Sequence, residues 1–117
     1  MRKPGNTVAF FRRADGTLTG YRAQGHTGYA EAGSDIVCAA VSALTQSTLN
    51  GLKNVLGAPI MFEIDDQAAF LEARLTPEAT EAQVRQAQLL LVTLLEGLQA
   101  VERSYPQNVR IFFEERR

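Results

Sequence analysis

The chain contains a single histidine, His26, and a single cysteine, Cys38, a short distance apart in the sequence. A cysteine thiolate attacks carbonyl carbon, and an imidazole within reach can take the thiol proton and later protonate a leaving amine. His26 is expected to end a strand, and Cys38 is expected to lie in the first turns of a helix, whose N-terminus favours an anion. The two residues therefore predict a cysteine nucleophile with a histidine as its general base.

Each of the two residues also has a purely structural interpretation. Cys38 stands inside the apolar run 36–41, and a cysteine in such a run is commonly a small buried hydrophobic residue. A lone histidine after a glycine, such as His26, is commonly a turn residue. The residue types alone therefore leave both interpretations open.

Two polar residues share the predicted helix face of Cys38. Asp35 lies three residues before it and Ser42 four residues after it. Asp35 would either orient His26 as the third member of a triad or serve only as a carboxylate at the helix N-terminus, and its charge opposes thiolate formation unless it is paired. Ser42 would either bond near the sulfur or bond back to the helix backbone. Backbone N–H groups near Cys38 are candidates for an oxyanion hole.

Glycines at 25, 28 and 33 surround the segment between the histidine and the cysteine. Gly25, Gly28 and Gly33 would let an extended substrate backbone approach closely and would let the loop close over it. They would equally serve tight turns, since glycine adopts backbone conformations that other residues avoid. The segment is therefore predicted to be a substrate-binding loop, with a purely structural role as the alternative.

Hydropathy periodicity predicts five strands and two helices in the order ββαββαβ. The strands are expected over residues 7–13, 18–24, 60–64, 68–75 and 109–113, with a turn at Asp65-Asp66 between the third and the fourth. The first helix is expected to begin at a cap on Ser34 or Asp35 and to extend to about Leu56. The simplest arrangement is an α+β fold, a mixed β-sheet with the two main helices packed on it.

The second helix has two candidate starts. It begins either at Thr76-Pro77 or at a capping box formed by Thr80 and Gln83, and Tyr105-Pro106 ends it. Its run 89–95 is apolar around most of the helix. This run indicates burial on two sides, for instance between the sheet and a second subunit.

Composition excludes several other classes of protein. The 117 residues fit one domain over 1–117, with 45% hydrophobic and 21% charged residues as in ordinary globular proteins. With a net charge of −1, nothing in the sequence demands a basic patch, so direct nucleic-acid binding is not expected. One cysteine and one histidine make a metal site improbable, and no cofactor is expected.

A lone cysteine, no signal peptide and no apolar run of about 18 residues favour a cytoplasmic protein without a membrane span.

The segments Gly25-His26 and Gly33-Ser34-Asp35-Ile36-Val37-Cys38-Ala39-Ala40-Val41-Ser42 closely resemble the ribosomal-processing cysteine protease family, Prp. The resemblance extends over the whole chain. It implies that His26 and Cys38 are the catalytic pair, with the family's aspartate and serine at Asp35 and Ser42. It further implies a homodimer that removes the N-terminal extension of a large-subunit ribosomal protein precursor, L twenty-seven, during bacterial ribosome assembly.

The substrate of that family has aromatic and aliphatic residues before the cut, so the resemblance implies an apolar groove, with Tyr29 as a lining residue. Two other functions remain open from the sequence. One is a non-enzymatic ribosome-associated adaptor that binds the same tail or ribosomal RNA. The other is a redox or acyl-transfer protein that uses the same thiol.

Overall fold

The computed structural model of the chain describes residues 5–25 and 32–116, and in the first helix it describes side chains from Ile36 onward. The elements follow the predicted order ββαββαβ. The strands are β1 (Asn6–Arg12), β2 (Leu18–Gly25), β3 (Ile60–Asp65), β4 (Phe70–Leu75) and β5 (Val109–Glu115). The helices are α1 (Ala32–Asn50), which continues through one π-helical turn (Gly51–Val55), and α2 (Glu81–Ser104).

The five strands form one sheet in the order β3-β4-β2-β1-β5. β1 pairs with β5 in parallel, and the other neighbours are antiparallel, so the sheet is mixed and the predicted α+β class is confirmed. The register places Asn6, the first residue of β1, opposite Gly25 on one side and Val109 on the other. The first residue of β1 and the last residue of β2 therefore lie side by side at one end of the sheet.

Both helices pack on the same face of the sheet, because one set of alternating strand residues shares a core with both. Val8, Phe10 and Tyr21 of this face are fully buried together with Val37 of α1 and Leu91 of α2. Burying apolar side chains of this size contributes about 1.5–3 kcal/mol each, so this face supplies most of the packing energy. None of the helices in the described part of the chain is long and apolar enough to cross a membrane.

One buried hydrogen bond ties α1 to the centre of the sheet. The Tyr21 hydroxyl donates to the carbonyl oxygen of Thr45 at 2.6 Å, and the Thr45 hydroxyl donates to the carbonyl oxygen of Val41 at 2.8 Å. Tyr21 is fully buried, and this burial raises the pKa of its phenol well above the ordinary value. A phenol that stays protonated keeps this bond, which sets the position of α1 over β2.

Within residues 5–25 and 32–116, no helix packs on the opposite face of the sheet, yet Phe11 on that face is only 1% exposed. The guanidinium carbon of Arg116 lies 4.1 Å from the centre of the Phe11 ring, and that of Arg22 lies 5.6 Å away. Arg22 in turn forms ion pairs with Glu114 and Glu72. Planar guanidinium groups thus cover the apolar ring while their charges remain paired.

The hydrogen bonds at the start of α2 show which of its two predicted starts is correct. The Thr80 hydroxyl accepts from the backbone N–H of Gln83 at 3.1 Å, and the Thr80 N–H donates to the Gln83 side-chain oxygen at 2.8 Å. The capping box is therefore confirmed, and the start at Thr76-Pro77 is wrong. Without the capping box, both N–H groups would lack a partner at the helix end. The box therefore stabilises a start at Thr80, whereas Pro77 offers no such hydrogen bonds.

Two other boundaries differ from the prediction. The turn predicted at Asp65-Asp66 lies instead at 66–69, because the Asp65 carboxylate accepts the N–H groups of Gln67 and Ala68 and closes the turn after itself. The first helix begins at Ala32, so the predicted caps at Ser34 and Asp35 both lie inside its first turn. Serine and aspartate are favourable in the first turn as well as at the cap, so residue type did not separate the two positions.

Candidate active site

A groove of about 170 Å³ opens at the end of the sheet where β1 begins and β2 ends. α1 forms one wall, and the end of β3, the following turn and the start of β4 form the other. Its lining includes residues from every one of these elements, among them Asn6, Gly25, Cys38, Ser42, Asp66 and Phe70. Four separate segments of the chain therefore meet around one cysteine.

Cys38 lines this groove and is partly exposed to it. Its neighbour Val37 is fully buried and Val41 is 4% exposed, so the helix turns its apolar side to the core and brings the thiol to the groove. Cys38 is the seventh residue of α1 counted from Ala32. It therefore lies at the end of the second turn, one turn deeper in the helix than a cap at Ser34 predicts.

The Cys38 sulfur has a side-chain donor that the sequence analysis missed. The Asn6 amide nitrogen Nδ2 donates to Cys38 Sγ at 3.3 Å and also contacts the carbonyl oxygen of Asn108 at 3.4 Å. Asn6 is only 5% exposed. One sequence signal could have found it, because Asn6 precedes Val8 and Phe10 with a period of two and so belongs to the buried face of β1.

Gly25 has no side chain, and the Asn6 amide occupies the space where a side chain would lie. A Cβ atom at Gly25 would lie 2.9 Å from Asn6 Oδ1, closer than real contacts of this kind. The Gly25 N–H donates to the carbonyl oxygen of Ala69 at 2.9 Å, which ties the end of β2 to the turn beside the groove. Gly25, Asn6 and Cys38 therefore form one packed group.

The other predicted site residues are placed only in part. Ser42 is exposed and lines the groove with Cys38, as the spacing of four on a helix predicts. The backbones of Gly33 and Asp35 lie in the first turn of α1, so Gly33 belongs to the helix and not to the preceding loop. His26, Gly28 and Tyr29, together with the side chain of Asp35, lie outside the described residues.

The groove contains little fixed charge among the residues that the structure describes. Its titratable lining residues there are Cys38 and Asp66, and the remaining lining is polar or apolar. In the same residues, no group of three histidine, cysteine, aspartate or glutamate side chains could hold a metal ion. The chemistry that this part of the groove supports is that of the thiol itself.

The chain is similar over most of its length to proteases of known type. The family model described as cysteine protease Prp matches residues 7–110. The ribosomal processing cysteine protease Prp of Bacillus subtilis is 30% identical over 101 residues, which cover 86% of this chain and 89% of that protein.

Two crystal structures of an essential ribosomal processing protease Prp from Staphylococcus aureus show the same fold at 28% identity. The complex with a substrate peptide superimposes with a TM-score of 0.81, and the complex with a covalently linked product peptide with 0.77. Each alignment covers 93% of this chain and 99% of the other. Since the family model spans far more than half of the chain, the protein belongs to the Prp family and is a cysteine protease.

Proposed function

We propose that this protein is the endopeptidase that removes the N-terminal extension of the ribosomal protein L twenty-seven precursor, with Cys38 as nucleophile and His26 as general base. The observation that carries the proposal is the position of the Cys38 thiol. It is partly exposed in a groove lined by residues of β1, β2, α1, β3 and β4, beside Gly25, the residue that precedes His26. The Staphylococcus aureus relatives that bind a substrate peptide and a covalently linked product peptide support the same assignment.

The reaction proceeds through a thioester. Cys38 Sγ attacks the scissile carbonyl carbon while His26 takes the thiol proton, and the tetrahedral intermediate expels the amine, which receives that proton. Water then attacks the thioester with His26 again as base, which releases the new carboxylate and regenerates the thiol. Asp35 is proposed to orient His26, and Ser42 to contact the substrate or the sulfur from the same helix face.

The far wall of the groove fits an apolar peptide. Ile64 is 47% exposed there, and the half-buried Phe70 at the start of β4 also lines the groove. Aromatic or aliphatic residues before the cut would cover these side chains, and each would contribute about 25 cal/mol per Å² of apolar area removed from water. Gly28 and Tyr29, which lie outside the described residues, and Gly33 in the first turn of α1 are proposed to contact the same substrate.

We further propose that the protein is a homodimer in the cytoplasm, where ribosomes assemble. Leu89 is 74% exposed and Val92 44% exposed on the side of α2 that faces away from the core. Large apolar side chains at neighbouring positions of one helix are typical of a subunit interface. Sedimentation of wild type and of a Leu89→Glu/Val92→Glu variant tests this, and a monomeric wild type would exclude it.

Mass spectrometry of the extended ribosomal protein tests the proposed reaction. Wild type is expected to make one cut, and Cys38→Ala and His26→Ala to make none while still binding the tail. Ser42→Ala tests the supporting role, with Ser47→Ala as its control, because Ser47 is also exposed on α1 but is not among the residues that line the groove. No cut by a folded wild type, with equal binding by all variants, would indicate the adaptor instead.

A further inference from the structure

We propose that Asn6 is a positioning residue for Cys38, and that its side-chain amide holds the sulfur in place and favours its thiolate form. This inference rests on the proposed function, in which Cys38 is the nucleophile. It concerns a residue that lies 32 positions away from the cysteine in the chain and belongs to a different element.

The orientation of the Asn6 amide follows from its neighbours. The carbonyl oxygen of Asn108 accepts the backbone N–H of Asn6 at 2.9 Å and lies 3.4 Å from the Asn6 side-chain nitrogen. A carbonyl oxygen can only accept, so the amide nitrogen and not the amide oxygen faces Asn108. The same nitrogen then presents its second N–H to Cys38 Sγ, while Oδ1 points toward Gly25.

The donor is held rigidly. Asn6 is paired with Gly25 of β2 and Val109 of β5, so its backbone lies inside the sheet and its side chain is buried. A buried amide is costly unless its hydrogens are bonded, and the contacts with Asn108 and Cys38 satisfy them. A donor that needs no rearrangement stabilises charge more effectively than a mobile one.

The N-terminus of α1 stabilises a negative charge on Cys38 less than it would stabilise a negative charge on a cysteine in the first turn. The unpaired N–H groups of a helix belong to its first four residues, and the dipole effect falls off within the first turn. Because α1 begins at Ala32, Cys38 lies beyond that turn. Hydrogen bonds to a charged acceptor are about twice as strong as neutral ones, so the Asn6 donor favours the thiolate over the thiol.

Alkylation of Cys38 by iodoacetamide tests the proposal, because the thiolate is the reacting form and no substrate is needed. We expect Asn6→Ala to react about tenfold more slowly than wild type at pH 7, the size of one lost hydrogen bond to a charged group. At pH 10, above the ordinary thiol pKa of about 8.5, the two rates are expected to be equal. Equal rates at pH 7, or the same loss at both pH values, would overturn the proposal, since the second result indicates altered access only.

Three controls make the result specific. Asn6→Leu keeps about the same volume and removes the donor without burying a charge, so it is expected to be as slow as Asn6→Ala at pH 7 and guards against misfolding of the alanine variant. Thr7→Ala changes the next residue of β1, which points to the other face, and is expected to react like wild type. Asp66→Asn removes the other titratable residue of the described lining. Introduced into wild type and into Asn6→Ala, it is expected to leave the ratio of their two alkylation rates unchanged. A changed ratio would overturn the assignment to Asn6.

Peptide cleavage separates this inference from the proposed function. The value of kcat for Asn6→Ala is expected to fall at pH 7 with KM nearly unchanged, because the amide contacts the sulfur and not the bulk of the peptide. Cleavage retained by Cys38→Ala would overturn the proposed function. Normal cleavage by Asn6→Ala together with its loss in Cys38→Ala would overturn only the role of Asn6.

Discussion

Substitution of Gly25 by alanine tests the packed group of Gly25, Asn6 and Cys38 most sharply. The new Cβ would lie 2.9 Å from Asn6 Oδ1, whereas ordinary contacts begin near 3.4 Å, so the amide must move by about half an ångström. Overpacking of this kind costs about 1–3 kcal/mol. The backbone of Gly25 is extended, so alanine also gains about 0.4–1 kcal/mol from a less disordered unfolded state. The net expectation is a loss of about 1 kcal/mol.

Urea unfolding of four proteins measures this effect as a double-mutant cycle: wild type, Gly25→Ala, Asn6→Ala and the double variant. In the Asn6→Ala background the clashing oxygen is absent, so Gly25→Ala is expected to change sign and to stabilise by about 0.5 kcal/mol. Alkylation of Cys38 at pH 7 should slow in Gly25→Ala, because the displaced amide no longer donates to the sulfur. An equal cost of Gly25→Ala in both backgrounds would refute the argument, since the clash with Oδ1 would then not be its cause.

Three further predictions concern the scaffold. Tyr21→Phe is expected to lower the free energy of unfolding by about 0.5–1.5 kcal/mol, because the buried hydrogen bond to the Thr45 carbonyl oxygen is lost; an unchanged urea midpoint would contradict this. Glu114 accepts a hydrogen bond from Arg22, which lowers its pKa from the ordinary 4.5, so its contribution to stability is present above that value and is lost as the pH falls through the lower folded value. Glu114→Gln should therefore lose less stability than wild type when the pH is lowered from 6 to 3, and parallel losses would exclude this role. Gly97→Ala in α2 is expected to raise stability by about 1 kcal/mol, since the added methyl group meets only ordinary contacts, and a lower melting temperature would contradict this.

The elements that build the core were predictable because each carries apolar residues at its own characteristic spacing. Val37 and Val41 recur at helical spacing in α1, and Val8 and Phe10 alternate in β1, so local periodicity locates both elements. The capping box at Thr80 is equally local, since its partner lies three residues away. Features that depend on contacts within one helical turn or a few strand residues can therefore be predicted from the sequence.

The parts that were not predicted depend on contacts distant in sequence. Asn6 meets Cys38 across 32 positions and Asn108 across 102, and the parallel pairing of β1 with β5 creates the second contact. No local pattern encodes which strands become neighbours. The start of α1 was missed for a different reason, because Ser34 and Asp35 suit a first turn as well as a cap.

The candidate site is thus tied to the register of the first hairpin. Asn6 shares a face with Val8 and Phe10, and it reaches the Cys38 sulfur only because burial of those two side chains turns this face toward α1. A slip of one residue between β1 and β2 would expose both apolar side chains and would turn the Asn6 amide to the opposite face. The same apolar alternation that stabilises the sheet therefore also selects the residue that contacts the nucleophile. For this reason we expect changes that loosen the hairpin far from the groove to reduce the reactivity of Cys38 as well as stability.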